Sequence, residues 1–317
     1  MTATAQRRLY MLSFDQRGSF KQALMGIAGE PTDDERRRIR ELKALVYRGF
    51  ERALADGAPR EACGLLVDEE FGADVARSAK ASGFTLAMPV ERSGQDEFEF
   101  EYGEQFGAHI DAFDPAFVKV LVRYNPDGEE PLNRRQSSRL AELSAWLSER
   151  GRRLLFELLV PATTAQLAQV AGEQDRYDRE LRPALLVRTI AELQDAGVEP
   201  DIWKIEGLDV REDCEHAVAQ ARAGGRERVS CVVLGRGASI DRVADWLRQA
   251  APVPGYVGFA IGRTIWLDAL GEHLVGRLND DAVIERIARN YRHMIDTYTA
   301  AATTPGSPRA PAAQSAR

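Results

Sequence analysis

The chain is poor in sulfur and in histidine. Its three cysteines, Cys63, Cys214 and Cys231, lie far apart and form no CxxC pair. A sparse, odd count fits reduced thiols and excludes a disulfide-built scaffold. The four histidines, His109, His216, His273 and His293, never pair at ligand spacing, and none ends a predicted strand; they read as helix-surface or structural residues and offer no open histidine metal centre. No apolar run approaches the ~20 residues that a membrane helix needs. The opening MTATAQRRLY lacks the apolar core of a secretion signal. A cytoplasmic protein with no membrane association is expected. Charge of a single sign is missing too. The net charge is −7, with Lys and Arg mixed among Asp and Glu, so there is no basic face for nucleic acid. What remains is ordinary globular composition, 44% hydrophobic and 29% charged over 317 residues, enough for one large barrel or two smaller domains.

Eight short apolar segments stand out as strands: 9–14, 63–67, 84–88, 117–124, 154–160, 201–207, 229–234 and 256–261. Amphipathic helical spacing separates most of them, for example Ile39, Leu42, Leu45, Val46 and Phe50 after a cap at Thr32 or Asp33, and Leu140, Leu143, Trp146 and Leu147 within 133–150. Further helices are expected over 73–82, 183–196, 213–223 and from Ser239 to about 250, and two more close the fold. Strands alternating with helices pair in parallel, and eight such units predict a single (β/α)8 TIM barrel over residues 9–300. The competing doubly wound sheet usually carries a glycine-rich phosphate turn after its first strand, and FDQRGS lacks that spacing. Residues 1–8 and the Pro-, Ala- and Ser-rich 301–317 read as disordered ends. Residues 91–106 form an acidic insertion after strand three, in which Phe98, Phe100 and Tyr102 alternate with Glu97, Glu99 and Glu101. The alternation predicts a short exposed strand or hairpin, a lid or partner surface on one view, a solvated acidic loop with its aromatics packed down on another.

Within DIWKIEG, Lys204 and Glu206 share a strand face. A lysine in a short apolar strand is costly to bury as a cation. It is tolerated with a carboxylate partner, on a solvated edge, or as a neutral amine, the form that attacks a carbonyl carbon to make a Schiff base. Barrel active sites gather at the C-terminal ends of the strands. This chain puts Asp15, Gln16 and Arg17 after strand one, Asp68 after strand two, Lys119 and Arg123 on strand four and Glu157 on strand five. Gly235, Arg236 and Gly237 follow strand seven, and Gly262 and Arg263 follow strand eight. Glycine turns in those last two positions let backbone N–H groups approach a phosphate, to which an arginine adds charge-assisted contacts. Lys119 and Lys204, both facing the axis, disfavour each other's charge, so one amine is pushed toward neutrality. Glu157 between them can move protons during carbinolamine formation and dehydration. An ion pair of Lys119 with Glu157 or Asp68 is an alternative or additional role. A carboxylate-only magnesium site from Asp15, Asp68 and Glu157, and a barrel that binds a sugar phosphate without turning it over, are the other readings these residues allow.

The segments MLSFDQRGS, LLVDEEFG, FVKVLVRYN, LLFELLV, DIWKIEG, VVLGRG and GFAIGRTIW, in this order, resemble the tagatose-bisphosphate aldolase family of class I (Schiff-base) barrel enzymes. The match is closer to the aldolase domain fused behind the sugar kinase of inositol catabolism, a domain associated with 2-deoxy-5-keto-gluconate 6-phosphate. The resemblance implies Lys204 as the Schiff-base lysine, Glu157 as acid and base, Lys119, Asp15 and Gln16 beside them, and Arg263 on phosphate. It implies no cofactor, a phosphorylated small-molecule substrate and a possible homo-oligomer. The Gly-Arg-Gly turn and the Glu-Gly-Leu-Asp continuation of strand six depart from the tagatose-bisphosphate pattern. The attached kinase is absent from this sequence, so a free-standing version is expected. If the substrate is a sugar acid, Arg123 or Arg236 is the arginine available for its carboxylate.

Overall fold

The computed structural model describes residues 7–303. Eight strands close into one barrel in chain order: β1 (Leu9–Ser13), β2 (Cys63–Leu66), β3 (Thr85–Pro89), β4 (Phe117–Arg123), β5 (Leu154–Leu159), β6 (Ile202–Glu206), β7 (Ser230–Leu234) and β8 (Tyr256–Ile261). Every neighbouring pair, including β1 with β8, is parallel. The expected (β/α)8 barrel is the fold. Each strand lies within a residue or two of its sequence-read position, because Gly, Pro or a polar cluster bounds each apolar run.

Two shells of apolar side chains follow from the two-residue period of a strand. Leu9, Met11, Phe117, Leu155, Ile202, Val232 and Val257 belong to the cluster that fills the barrel. Val118, Val120, Phe156, Trp203 and Ile205 belong to the larger cluster under the helices. Burying each such side chain contributes about 1.5–3 kcal/mol. Trp203 packs on Phe156 with ring centroids 4.9 Å apart.

Helix starts differ where capping overrides apolar spacing. The third helix begins at Glu69, well before residue 73, because the Asp68 side chain accepts the Phe71 N–H at 2.8 Å. Thr32 caps Asp33–Ala55 with a full capping box, and Ser239 caps Ile240–Ala250. Short helices at Gly18–Met25, Phe106–Phe113, Thr164–Gln169 and Gln174–Glu180 were not read from periodicity; eight residues or fewer give too few turns for a pattern. No described helix is long and apolar enough to cross a membrane.

Residues 91–106 do lie between β3 and β4, but they present no exposed aromatic strand. A single antiparallel bridge joins Glu91 to Phe100, with Arg92 N–H donating to Glu99 O at 2.8 Å and Glu101 N–H to Val90 O at 2.9 Å. Phe98 is 3% exposed, and Phe98, Phe100, Phe106 and Trp146 form a chain of ring contacts at 5.1, 4.3 and 5.2 Å. The three alternating glutamates are paired: Glu97 with Arg135 and Arg139, Glu99 with Arg92, Glu101 with Arg17. The hairpin is therefore folded onto its own barrel. At the chain ends, Arg7 and Arg8 contact the Glu61 carbonyl and the Tyr298 hydroxyl, and residues 301–303 continue the last helix, Asp280–Thr303. The remainder of both expected disordered ends, 1–6 and 304–317, lies outside the described residues.

Candidate active site

Three of the side chains expected at the site obey one rule: each stands two residues beyond an apolar residue of the barrel interior. Phe117 is followed by Lys119, Leu155 by Glu157 and Ile202 by Lys204. Alternation therefore turns all three to the barrel axis, one layer nearer the C-terminal mouth. Asp15 continues the inward set Leu9, Met11, Ser13, and Glu91 continues Thr85, Ala87, Pro89.

The five groups meet. Lys204 Nζ lies 3.0 Å from Glu157 Oε1, and Lys119 Nζ lies 3.0 Å from Glu157 Oε2. Lys119 also donates hydrogen bonds to Asp15 Oδ2 and Glu91 Oε1, each at 2.7 Å. All are buried. Burial opposes charge on Lys119, but Asp15, Glu157 and Glu91 together push its proton affinity well above that of a free lysine. Burial likewise opposes charge on Asp15, yet Lys119 and Lys204 hold its carboxyl down at about 2. Glu91 goes the other way. Burial raises its proton affinity above the ordinary carboxylate range, and the nearby Lys119 and Arg17 offset only part of that.

Above this array is a cavity of about 140 Å³ lined by Gln16, Arg17, Glu91, Lys119, Arg123 and Glu157 among others. Lys204 is not among the lining residues, but it contacts Glu157, which is. Arg17 donates to Glu101 Oε2 at 2.8 Å and to the Glu91 carbonyl at 2.7 Å, pinning the hairpin over the mouth. Arg123 donates to the Gln95 carbonyl at 2.8 Å and has no carboxylate in ion-pair range among the described residues. Several buried polar atoms here have no hydrogen-bond partner in the described structure: Asp15 Oδ1, Gln16 Oε1, Arg17 Nε and Glu91 Oε2.

The structure does not bring Asp68 to this cavity. Its carboxylate is fully buried against the Lys43 ammonium, which also donates to the Phe14 and Gln16 carbonyls at 2.8 and 3.0 Å. Asp68 thus holds the lysine that holds the turn carrying Asp15 and Gln16. The carboxylate set Asp15, Asp68 and Glu157 is not assembled, and among the described residues no group of three His, Cys, Asp or Glu side chains is placed to hold a metal ion.

Glu206 belongs to a second network. It accepts the Val160 N–H at 3.0 Å and pairs with Arg236 at 3.1 Å; Arg236 also reaches Asp178 at 2.8 Å. Burial raises the proton affinity of Glu206 despite Arg182 and Arg236. Arg236 adopts φ 54°, followed by Gly237 at 77°. That left-handed pair turns the loop so that the Arg236 carbonyl accepts from Arg263 Nη2 at 3.1 Å. At Gly262 an added Cβ would stand 2.3 Å from the Ser13 carbonyl, so only glycine lets β8 pass so close to β1. The two expected phosphate turns are adjacent, and Arg263 is exposed beside them without a carboxylate partner among the described residues.

Sequence reading missed Glu91, Glu101, Lys43, Asp178 and Arg182. Glu91 had a usable signal, since it keeps the inward phase of β3 two residues past Pro89. Glu101 alternates with aromatics in the insertion, but that period does not point to Arg17; Lys43, Asp178 and Arg182 lie on helices, where no strand period applies.

Fold and centre together define a (β/α)8 barrel with a buried lysine–carboxylate array at its C-terminal mouth. The chain belongs to the family described as "Uncharacterized protein conserved in bacteria (DUF2090)", whose model matches residues 1–302. No curated protein matches it in sequence. Among solved structures it is similar to fructose-bisphosphate aldolase from Plasmodium falciparum, at 13% identity and a TM-score of 0.64, covering 95% of this chain and 93% of that one. A Schiff-base-forming fructose-1,6-bisphosphate aldolase matches at 13% identity and 0.56, covering 91% and 93%. An archaeal fructose-1,6-bisphosphate aldolase, solved with its catalytic lysine bound to the carbinolamine intermediate, matches at 11% and 0.55, covering 92% and 94%.

Proposed function

We propose that this protein is a class I aldolase in which Lys204 forms the Schiff base with a phosphorylated keto sugar or keto sugar acid. The observation that carries the reading is the asymmetry of the two lysines about Glu157. Lys119 touches three carboxylates, Lys204 only the shared one. Lys119 is the fixed cation, and Lys204 is the amine that can give up a proton. Glu157 Oε1, 3.0 Å away, is in reach to take that proton. The freed amine attacks the ketone, Glu157 returns the proton to the carbinolamine hydroxyl, and water leaves. The resulting iminium draws in the electron pair of the neighbouring C–C bond, releasing an aldehyde and leaving an enamine. Proton return to carbon and hydrolysis regenerate Lys204. The Schiff-base aldolases among the structural neighbours support this reading.

For the substrate, the motif resemblance favours 2-deoxy-5-keto-gluconate 6-phosphate, cleaved to dihydroxyacetone phosphate and malonate semialdehyde, over tagatose bisphosphate or a sulfosugar phosphate. Arg263 beside the glycine turns suits the phosphate. Arg123 suits the far carboxylate, because Arg236 is already neutralised by Glu206 and Asp178. Borohydride reduction in the presence of dihydroxyacetone phosphate tests the chemistry: a three-carbon phosphate adduct on the Lys204 peptide is expected, and its absence refutes the Schiff-base route.

A further inference from the structure

Lys119 has three carboxylate neighbours, and they are not alike. Asp15 is a firm anion, held at about 2 by Lys119 and Lys204 against its burial, which makes it a weak base. Glu157 is shared between both lysines. Glu91 comes from the hairpin that closes the mouth; like Asp15 it has one oxygen held, here Oε1, by Lys119 at 2.7 Å and by Arg17 at 3.6 Å. Its Oε2 is buried without a hydrogen-bond partner in the described structure, and the residue lines the 140 Å³ cavity. A buried carboxylate oxygen left unsatisfied costs roughly 1–3 kcal/mol, more when charged, unless a ligand hydroxyl donates to it. The charged groups facing Glu91 are Lys119 and Asp15 from the barrel and Arg17 from the β1 turn.

We propose that Glu91 is a second catalytic residue, the base that deprotonates the substrate hydroxyl when the C–C bond breaks, separate from the Glu157 chemistry at the imine. This rests on the Schiff-base reading above. Glu91 Oε2 accepts the proton of the hydroxyl on the carbon that becomes the aldehyde. The oxygen's electron pair forms the C=O, the C–C bond breaks, and its pair passes into the iminium, leaving a neutral enamine. In condensation the same carboxyl returns the proton to the new alkoxide. Burial strengthens Glu91 as a base, and Lys119 on Oε1 fixes its direction.

The test separates imine chemistry from bond cleavage. Deuterium exchange into the hydroxymethyl carbon of dihydroxyacetone phosphate requires imine and enamine but no aldehyde. Condensation of the same compound with malonate semialdehyde or glyceraldehyde 3-phosphate also requires the hydroxyl proton. In Glu91→Gln, condensation should fall by on the order of 10²–10⁴, at least a hundredfold more than exchange; Glu91→Asp should recover part of that loss. Equal losses of exchange and condensation in both variants would mean a structural role and overturn the proposal, as would condensation within a few-fold of wild type. Absence of exchange and of borohydride adduct in the wild type would sink the Schiff-base reading itself, and this inference with it.

Discussion

Lys204 and Glu157 are register partners on adjacent strands, and their side chains meet at 3.0 Å on the barrel axis. Because Glu157 also holds Lys119, removing either lysine has a different consequence. Lys204→Met should abolish the borohydride adduct and turnover while leaving Glu157 paired. Lys119→Met leaves three buried carboxylates facing one another and should cost about 3–5 kcal/mol of stability. Urea unfolding and mass spectrometry of the two variants distinguish these outcomes.

Asp68→Asn should behave as a stability variant. It strands the Lys43 ammonium, whose proton affinity burial already lowers in spite of Asp68. A loss of roughly 3–5 kcal/mol is expected, measured by denaturant midpoint, with KM for the sugar phosphate changed little in the protein that remains folded. A large KM effect without destabilisation would place Asp68 at the substrate after all.

Acid sensitivity should report on Asp15. Its carboxyl falls from 3.8 when free to about 2 in the folded chain. A depressed folded value contributes stability that is fully present above the free value and disappears as pH falls from about 4 to 2, on the order of 2 kcal/mol. Raised groups such as Glu91 and Glu206 act oppositely, their contribution declining as pH rises above 4.5. Comparing unfolding free energies of wild type and Asp15→Asn across pH 4 to 2 isolates the Asp15 share; parallel curves would contradict it.

Two arginines that sequence could not separate should now part company. Arg123→Ala should raise KM for a substrate with an anionic far end by roughly tenfold or more, with little change in thermal midpoint. Arg236→Ala should instead lower the midpoint, because Glu206 and Asp178 lose their cation. Steady-state kinetics and thermal unfolding on both variants make the comparison.

The chain's periodicities determined the barrel on their own. A parallel strand buried on both sides needs a continuous apolar run, so a lysine or glutamate inside one is conspicuous, and its phase against neighbours such as Ile202 or Leu155 sets which way it faces. That is why Lys204, Glu157 and Lys119 were legible. What one-dimensional spacing does not contain is who neutralises whom. Asp68 and Asp15 both end an apolar run, yet one is claimed by Lys43 from a helix 25 residues earlier and the other by Lys119, 104 residues later. Glu91 and Glu101 sit in an insertion that reads as solvated acid; only closure of the hairpin onto Arg17 and Lys119 pairs them and buries Glu91. Charge pairing depends on distances between segments remote in sequence, and those exist only once the barrel has closed.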